Sequence, residues 1–97
     1  MPDYVLPNGI VIEAKGHFTS ADRRKMRAVK EAHPELEIRF VFGRAANKLN
    51  KTSRTTYAKW ADTKGFGFAD RSIPDAWHKE TPFKASIAKL AELGVSF

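Results

Sequence analysis

The stretch Leu6 to Gly16, LPNGIVIEAKG, constrains this chain more than any other. Two apolar runs flank Pro7-Asn8-Gly9, residue types that reverse a chain within a few positions. Two loop lengths compete. A two-residue Asn8-Gly9 turn pairs Pro7 with Ile10 and Asp3 with Ala14, so Asp3 and Glu13 point to opposite faces. A three-residue Pro7-Asn8-Gly9 loop pairs Leu6 with Ile10 and Asp3 with Glu13. Pro7 has the fixed φ of the first position of a type I turn, and Gly9 accepts the left-handed position that makes the bulge. Turn chemistry favours the three-residue loop.

The consequence is chemical. Asp3 and Glu13 become cross-strand neighbours, roughly 5 Å apart at Cβ, and Lys15 shares their face. Like charges that face each other need something positive between them. A hard divalent cation held by carboxylate oxygens meets that need. Such a cation beside two carboxylates and a lysine suits phosphodiester hydrolysis, in which it polarises the phosphate and acidifies a water. Lys15 then orients that water, accepts its proton, or offsets charge in the transition state.

The remaining pattern predicts a single domain over residues 1–97. Residues 4–6 and 10–14 read as strands and 20–33 as a helix. Thr19 and Asp22 form a capping box at its start, and Pro34 ends it. Met26, Val29 and His33 share one stripe of that helix, while Arg23, Arg24, Arg27 and Lys30 largely face away. Glu37 to Phe42, EIRFVF, reads as a well-buried strand. A short helix at about 55–64 buries Tyr57, Trp60 and Ala61, and Gly65 closes it. GFGFA reads as a short strand and SIPDAW as a turn anchored by Trp77. A last helix takes Thr81 as its cap and Pro82 as its first residue, with Phe83, Ile87, Leu90 and Ala91 inward and Gly94 at its end. The fold class is therefore α/β, a small mixed sheet flanked by helices in the order β-β-α-β-α-β-α.

Charge narrows the partner. The net charge is +6, and it is concentrated. From Gly43 to Lys64 the chain carries Arg44, Lys48, Lys51, Arg54, Lys59 and Lys64 against one acid, Asp62. That excess points to a polyanion, most often nucleic acid. Arg44, Lys48, Lys51 and Arg54 are the best phosphate contacts, and Arg23, Arg24 and Lys25 form a second basic group. There is no cysteine, which excludes disulfides and thiolate zinc sites and fits a reducing compartment. No apolar run suits a membrane helix, and the N-terminal residues lack a signal pattern, so a cytoplasmic protein is expected. His17, His33 and His78 are too scattered for a zinc site. Of these, His17 follows the Glu-x-Lys stretch after Gly16 and reads as a solvated strand end sooner than as a phosphate contact. Trp60 and Trp77 read as core rather than as base-stacking residues.

These motifs together resemble the phage endonuclease I family, the Holliday-junction resolvases of the PD-(D/E)XK nuclease superfamily. The resemblance runs from PDYVLPNGIVIEAKG through DRRKM, HPELEIRFVF and KLNKTSRTTYAKW to GFGFADRSIPDAW, about residues 2–77. It implies a PD-(D/E)XK nuclease-like core and a Mg2+- or Mn2+-dependent endonuclease acting on branched or duplex DNA, in the host cytoplasm if phage-encoded. It also implies Asp3 and Glu13 as metal ligands, the Ala14 carbonyl as a further ligand, and Lys15 as the catalytic lysine. The family has a segment before the Pro-Asp pair that supplies another glutamate and takes part in a strand-exchanged dimer. This chain starts at Met1 and is expected to lack it, which leaves dimerisation open and favours nicking of one strand at a time. Glu31 and Glu80 are the acids available in its place, and the last helix is expected to cover the sheet face that segment would cover. The competing expectation is a DNA-binding module that keeps the fold without catalysis.

Overall fold

The structure, a computed structural model, describes residues 3–94. Its hairpin has the three-residue loop. Strand β1 (Tyr4–Val5) runs antiparallel to β2 (Ile10–Lys15), with Tyr4 opposite Ile12 and Val5 opposite Val11. The Leu6 N–H donates to the Ile10 carbonyl at 2.9 Å and the Gly9 N–H to the Leu6 carbonyl at 2.9 Å, which closes the loop. Gly9 has a φ of 92°. Pro2, first residue of the Pro-Asp pair, lies outside the described residues.

Beyond the hairpin the sheet is parallel. β3 (Glu37–Phe42) pairs with β2, and β4 (Gly67–Asp70) pairs with β3, in the order β1-β2-β3-β4. Helix α1 (Ser20–Ala32) makes the crossover from β2 to β3 and α2 (Tyr57–Thr63) the crossover from β3 to β4. The Thr19–Asp22 capping box is present. Thr56 caps α2.

The two faces of the sheet are unlike. On one, Val11, Phe40 and Phe42 pack with Phe18, Met26, Tyr57, Trp60 and Phe66 into a core rich in edge-to-face ring contacts. On the other, Ile10, Ile12 and Val41 pack with Leu6, Ile73, Trp77 and Phe83. Both tryptophans therefore serve packing. Trp77 also lies under the Arg39 guanidinium at 5.0 Å.

The C-terminal third departs from the expected pattern. SIPDAW is not a simple turn, because Asp75–His78 forms a short helix, α3. The last helix, α4, spans Lys84–Glu92, so neither Thr81 nor Pro82 starts it; Phe83 occupies the cap without a side-chain hydrogen bond. The cause is a tertiary contact, since the Phe83 N–H donates to the Asn8 carbonyl of the hairpin loop at 2.8 Å. Ala91 is exposed and Ser86 takes the buried position. The Ser86 hydroxyl donates to the Gly9 carbonyl at 2.6 Å and accepts from the Glu37 N–H at 3.2 Å. The Asn8 amide donates to the Trp77 carbonyl at 2.7 Å. The hairpin loop is thus the dock for α3 and α4. Arg23 and Lys30 also do not simply face water. Arg23 donates to the Phe18 carbonyl at 2.8 Å, and the Lys30 ammonium lies 4.7 Å from the Phe66 ring centre.

Gly9 is needed here twice over. A Cβ would stand 2.8 Å from Ile87 Cγ1 and 3.1 Å from the Phe83 carbonyl, and the positive φ disfavours any side chain. Gly9→Ala should therefore cost about 2–4 kcal/mol, read as a lowered urea midpoint. A loss below about 1 kcal/mol would mean that α4 docks more loosely than this contact implies.

Candidate active site

The register that puts Tyr4 opposite Ile12 carries Asp3 opposite Glu13. β1 starts at Tyr4, so at Ala14 the edge of β2 is met by a side chain. The Asp3 carboxylate accepts the Ala14 N–H there at 2.8 Å. Lys15 turns its carbonyl the other way, accepting the Gly43 N–H beyond β3 at 3.0 Å. The Ala14 carbonyl lies on the same edge as its own N–H, toward Asp3.

Glu13 pairs with Phe40 of β3, which sets it on the face covered by α1. It is only 9% exposed. Burial, and next the nearby Asp3 charge, push its carboxyl above the usual glutamate range, with Lys15 and Lys25 offsetting part of this. Below it, Met26, Val29 and Leu90 line a cavity of about 140 Å³ whose polar rim includes Lys25 and His33. Leu90 brings α4 to this face of the sheet. His33 ends α1, and its Nδ1 is buried without a hydrogen-bond partner.

Lys15 is half-buried, its ammonium 3.7 Å from an Asp22 carboxylate oxygen. Asp22 is held below the usual carboxylate range, first by the Thr19 N–H. One residue thus caps α1 and faces the Lys15 amine. The sequence pattern marks Asp22 only as a cap. Its second role follows from a crossover so short that the first turn of α1 folds back over the end of β2.

The basic residues gather at the same end of the sheet. His17, two positions past Lys15, lines an open cleft of about 520 Å³ with Arg44, Lys48 and Lys51. Arg54 is exposed but does not line it. The loop that carries these side chains is pinned by the Lys48–Thr56 bridge and by three donors to the Asn50 carboxamide oxygen. Glu80 and Glu31 lie away from the acid pair. Glu80 forms a two-pronged pair with Arg39 on the opposite face, with one contact at 2.8 Å. That pairing holds Glu80 below the usual range. Glu31 sits on the exposed surface of α1. Among the described residues, no group of three or more His, Cys, Asp or Glu is placed to hold a metal ion. The Asp3 and Glu13 carboxylates, near enough to raise the Glu13 carboxyl, offer oxygens of the kind hard divalent ions take. No helix of the described residues is long and apolar enough to cross a membrane.

Fold and site together define a small α/β domain that carries a facing acid pair and a lysine beside a basic cleft, at the carboxyl end of its sheet. A family model described as phage endonuclease I matches residues 1–95. Endonuclease I of Escherichia phage T7 is 43% identical over 93 residues, which is 96% of this chain and 62% of that protein. Endodeoxyribonuclease 1 of Enterobacteria phage T3 is 51% identical over 79 residues, 81% of this chain and 52% of that protein. The chain belongs to the phage endonuclease I family. It spans less than two thirds of the length of either relative.

Proposed function

We propose that this chain is a metal-dependent DNA endonuclease, with Asp3, Glu13 and Lys15 as its catalytic set. The observation that carries the reading is the register, which faces Asp3 with Glu13 and leaves Lys15 on the same side. Asp3, Glu13 and the Ala14 carbonyl would hold Mg2+ or Mn2+, and such an ion supplies Lewis acidity toward phosphate and water. The raised carboxyl of Glu13 supports this, because a cation would relieve the crowding of its charge with that of Asp3. Lys15, oriented by Asp22, would hold the attacking water or offset charge on the transition state. Arg44, Lys48, Lys51 and Arg54 would bind the flanking phosphates. The names of the two relatives, an endonuclease and an endodeoxyribonuclease, support DNA backbone cleavage. Branched DNA, a Holliday junction included, is the substrate to try first. Cutting of one strand at a time is part of this proposal.

The test is a supercoiled plasmid bearing a cruciform, incubated with Mg2+, Mn2+ or a chelator. Nicked circles that need the ion and precede linear product are expected. A second reading, DNA binding without turnover, is favoured by the meeting of only two carboxylates among the described residues. Retarded plasmid without nicks would select it. Arg44, Lys48 and Lys51 exchanged together for Ala should weaken duplex binding without regard to sequence. The slope of log K against log salt should fall by roughly 0.9 for each phosphate that is no longer neutralised. An unchanged slope would move the DNA away from this cleft.

A further inference from the structure

At the carboxyl end of the sheet, Arg71 has a φ of 74°, and it is alone among the described residues other than glycine in having a positive φ. A bulky side chain is a poor choice there, where Gly or Asn fits without strain. The position itself is forced, because the Arg71 N–H donates to the Phe42 carbonyl at 2.7 Å as the chain turns out of β4. The choice of arginine is not forced. Its side chain is 80% exposed, and its contact with Asp70 is long, at 3.5 Å. An exposed pair of that kind contributes little to stability.

The surroundings suggest what the side chain is for. The other carboxylate oxygen of Asp70 accepts the Ala45 N–H at 2.7 Å. Asp70 thereby ties the first residues of the basic loop to the end of β4, and Arg44 and Arg71 flank that tie. β2, β3 and β4 are parallel; Lys15 ends β2, and Arg44 and Arg71 come just after the ends of β3 and β4. Neighbouring strands lie about 4.8 Å apart, so this row crosses roughly 10 Å of surface.

We infer that Arg71 is a DNA phosphate contact, one that extends the basic surface past the Lys48 loop to the edge of β4. The inference rests on the nuclease reading, since it needs DNA on this end of the sheet. Backbone strain is kept at Arg71 because the charge is used there.

The experiment compares Arg71→Gly and Arg71→Lys with wild type, by thermal melting and by duplex-DNA binding across a salt series. Arg71→Gly should melt at the same temperature or higher. It should also bind about five- to tenfold more weakly at about 0.1 M salt, with the salt slope reduced by about 0.9. Arg71→Lys should keep the wild-type slope. Wild-type affinity and slope in Arg71→Gly would overturn the inference and leave Arg71 as a turn residue, with the nuclease reading intact. A lowered melting temperature in Arg71→Gly would likewise overturn it, by making the side chain a structural prop. A wild-type protein that binds no DNA would overturn the nuclease reading and this inference with it.

Discussion

Lys15→Ala is expected to bind divalent ions as tightly as wild type and to nick plasmid at least about a hundredfold more slowly. The separation follows from what each side chain offers. An ammonium donates and cannot ligate a hard cation, whereas Asp3 and Glu13 bring the oxygens. The Lys15 amine is half-buried, on the face of Glu13, and 3.7 Å from Asp22. That half-buried position limits where the ammonium can lie before substrate arrives, and a charge so placed contributes most to a transition state. Titration calorimetry with Mn2+ and a plasmid gel read the two properties separately. Asp3→Ala and Glu13→Ala should each lose the ion and the cleavage together. A Lys15→Ala protein that cuts at the wild-type rate would remove Lys15 from the chemistry.

The parts of this molecule legible in the sequence are those fixed by local chemistry. Pro7 and Gly9 determine the loop, the loop determines the register, and the register places Asp3 against Glu13. The Thr19–Asp22 box starts α1, and the run from Glu37 to Phe42 can only be a buried strand. The C-terminal third is harder to read because its boundaries are set by distant partners. Thr81-Pro82 is a good helix start by its own chemistry, yet the Asn8 carbonyl takes the Phe83 N–H, and α4 begins after it. Ser86 looks like a surface residue until the Gly9 carbonyl is found beside it. The basic cleft is legible as composition, but composition does not separate Arg54, off its lining, from Arg44, Lys48 and Lys51. Glu80 shows the same limit. By residue type it could serve the site, but its partner, Arg39, is buried on the other face of the sheet.

Glu13→Gln is expected to make the ion-free protein more stable at neutral pH and to remove most of its response to divalent ions. The carboxyl of Glu13 is pushed up by burial and by Asp3, so the folded state holds that proton more tightly than the unfolded chain does. Stability therefore falls as pH rises from the ordinary glutamate range through the higher folded-state value, and it stays lower beyond. Glutamine has no charge to bury, so the variant escapes that fall. The two melting curves should converge in acid, where both side chains are neutral. A bound ion reverses the order. At a free concentration about one hundred times its Kd, an ion that binds only the folded state adds about 2.7 kcal/mol. In a domain of this size that raises Tm by on the order of 10 °C. Wild type should show this rise in Mn2+, and Glu13→Gln should show little of it. Melting across a pH series, with Mn2+ and with chelator, makes the comparison. If Glu13→Gln melts below wild type at neutral pH in chelator, the buried carboxylate is a structural prop. If both proteins gain equally from Mn2+, the ion binds away from Glu13.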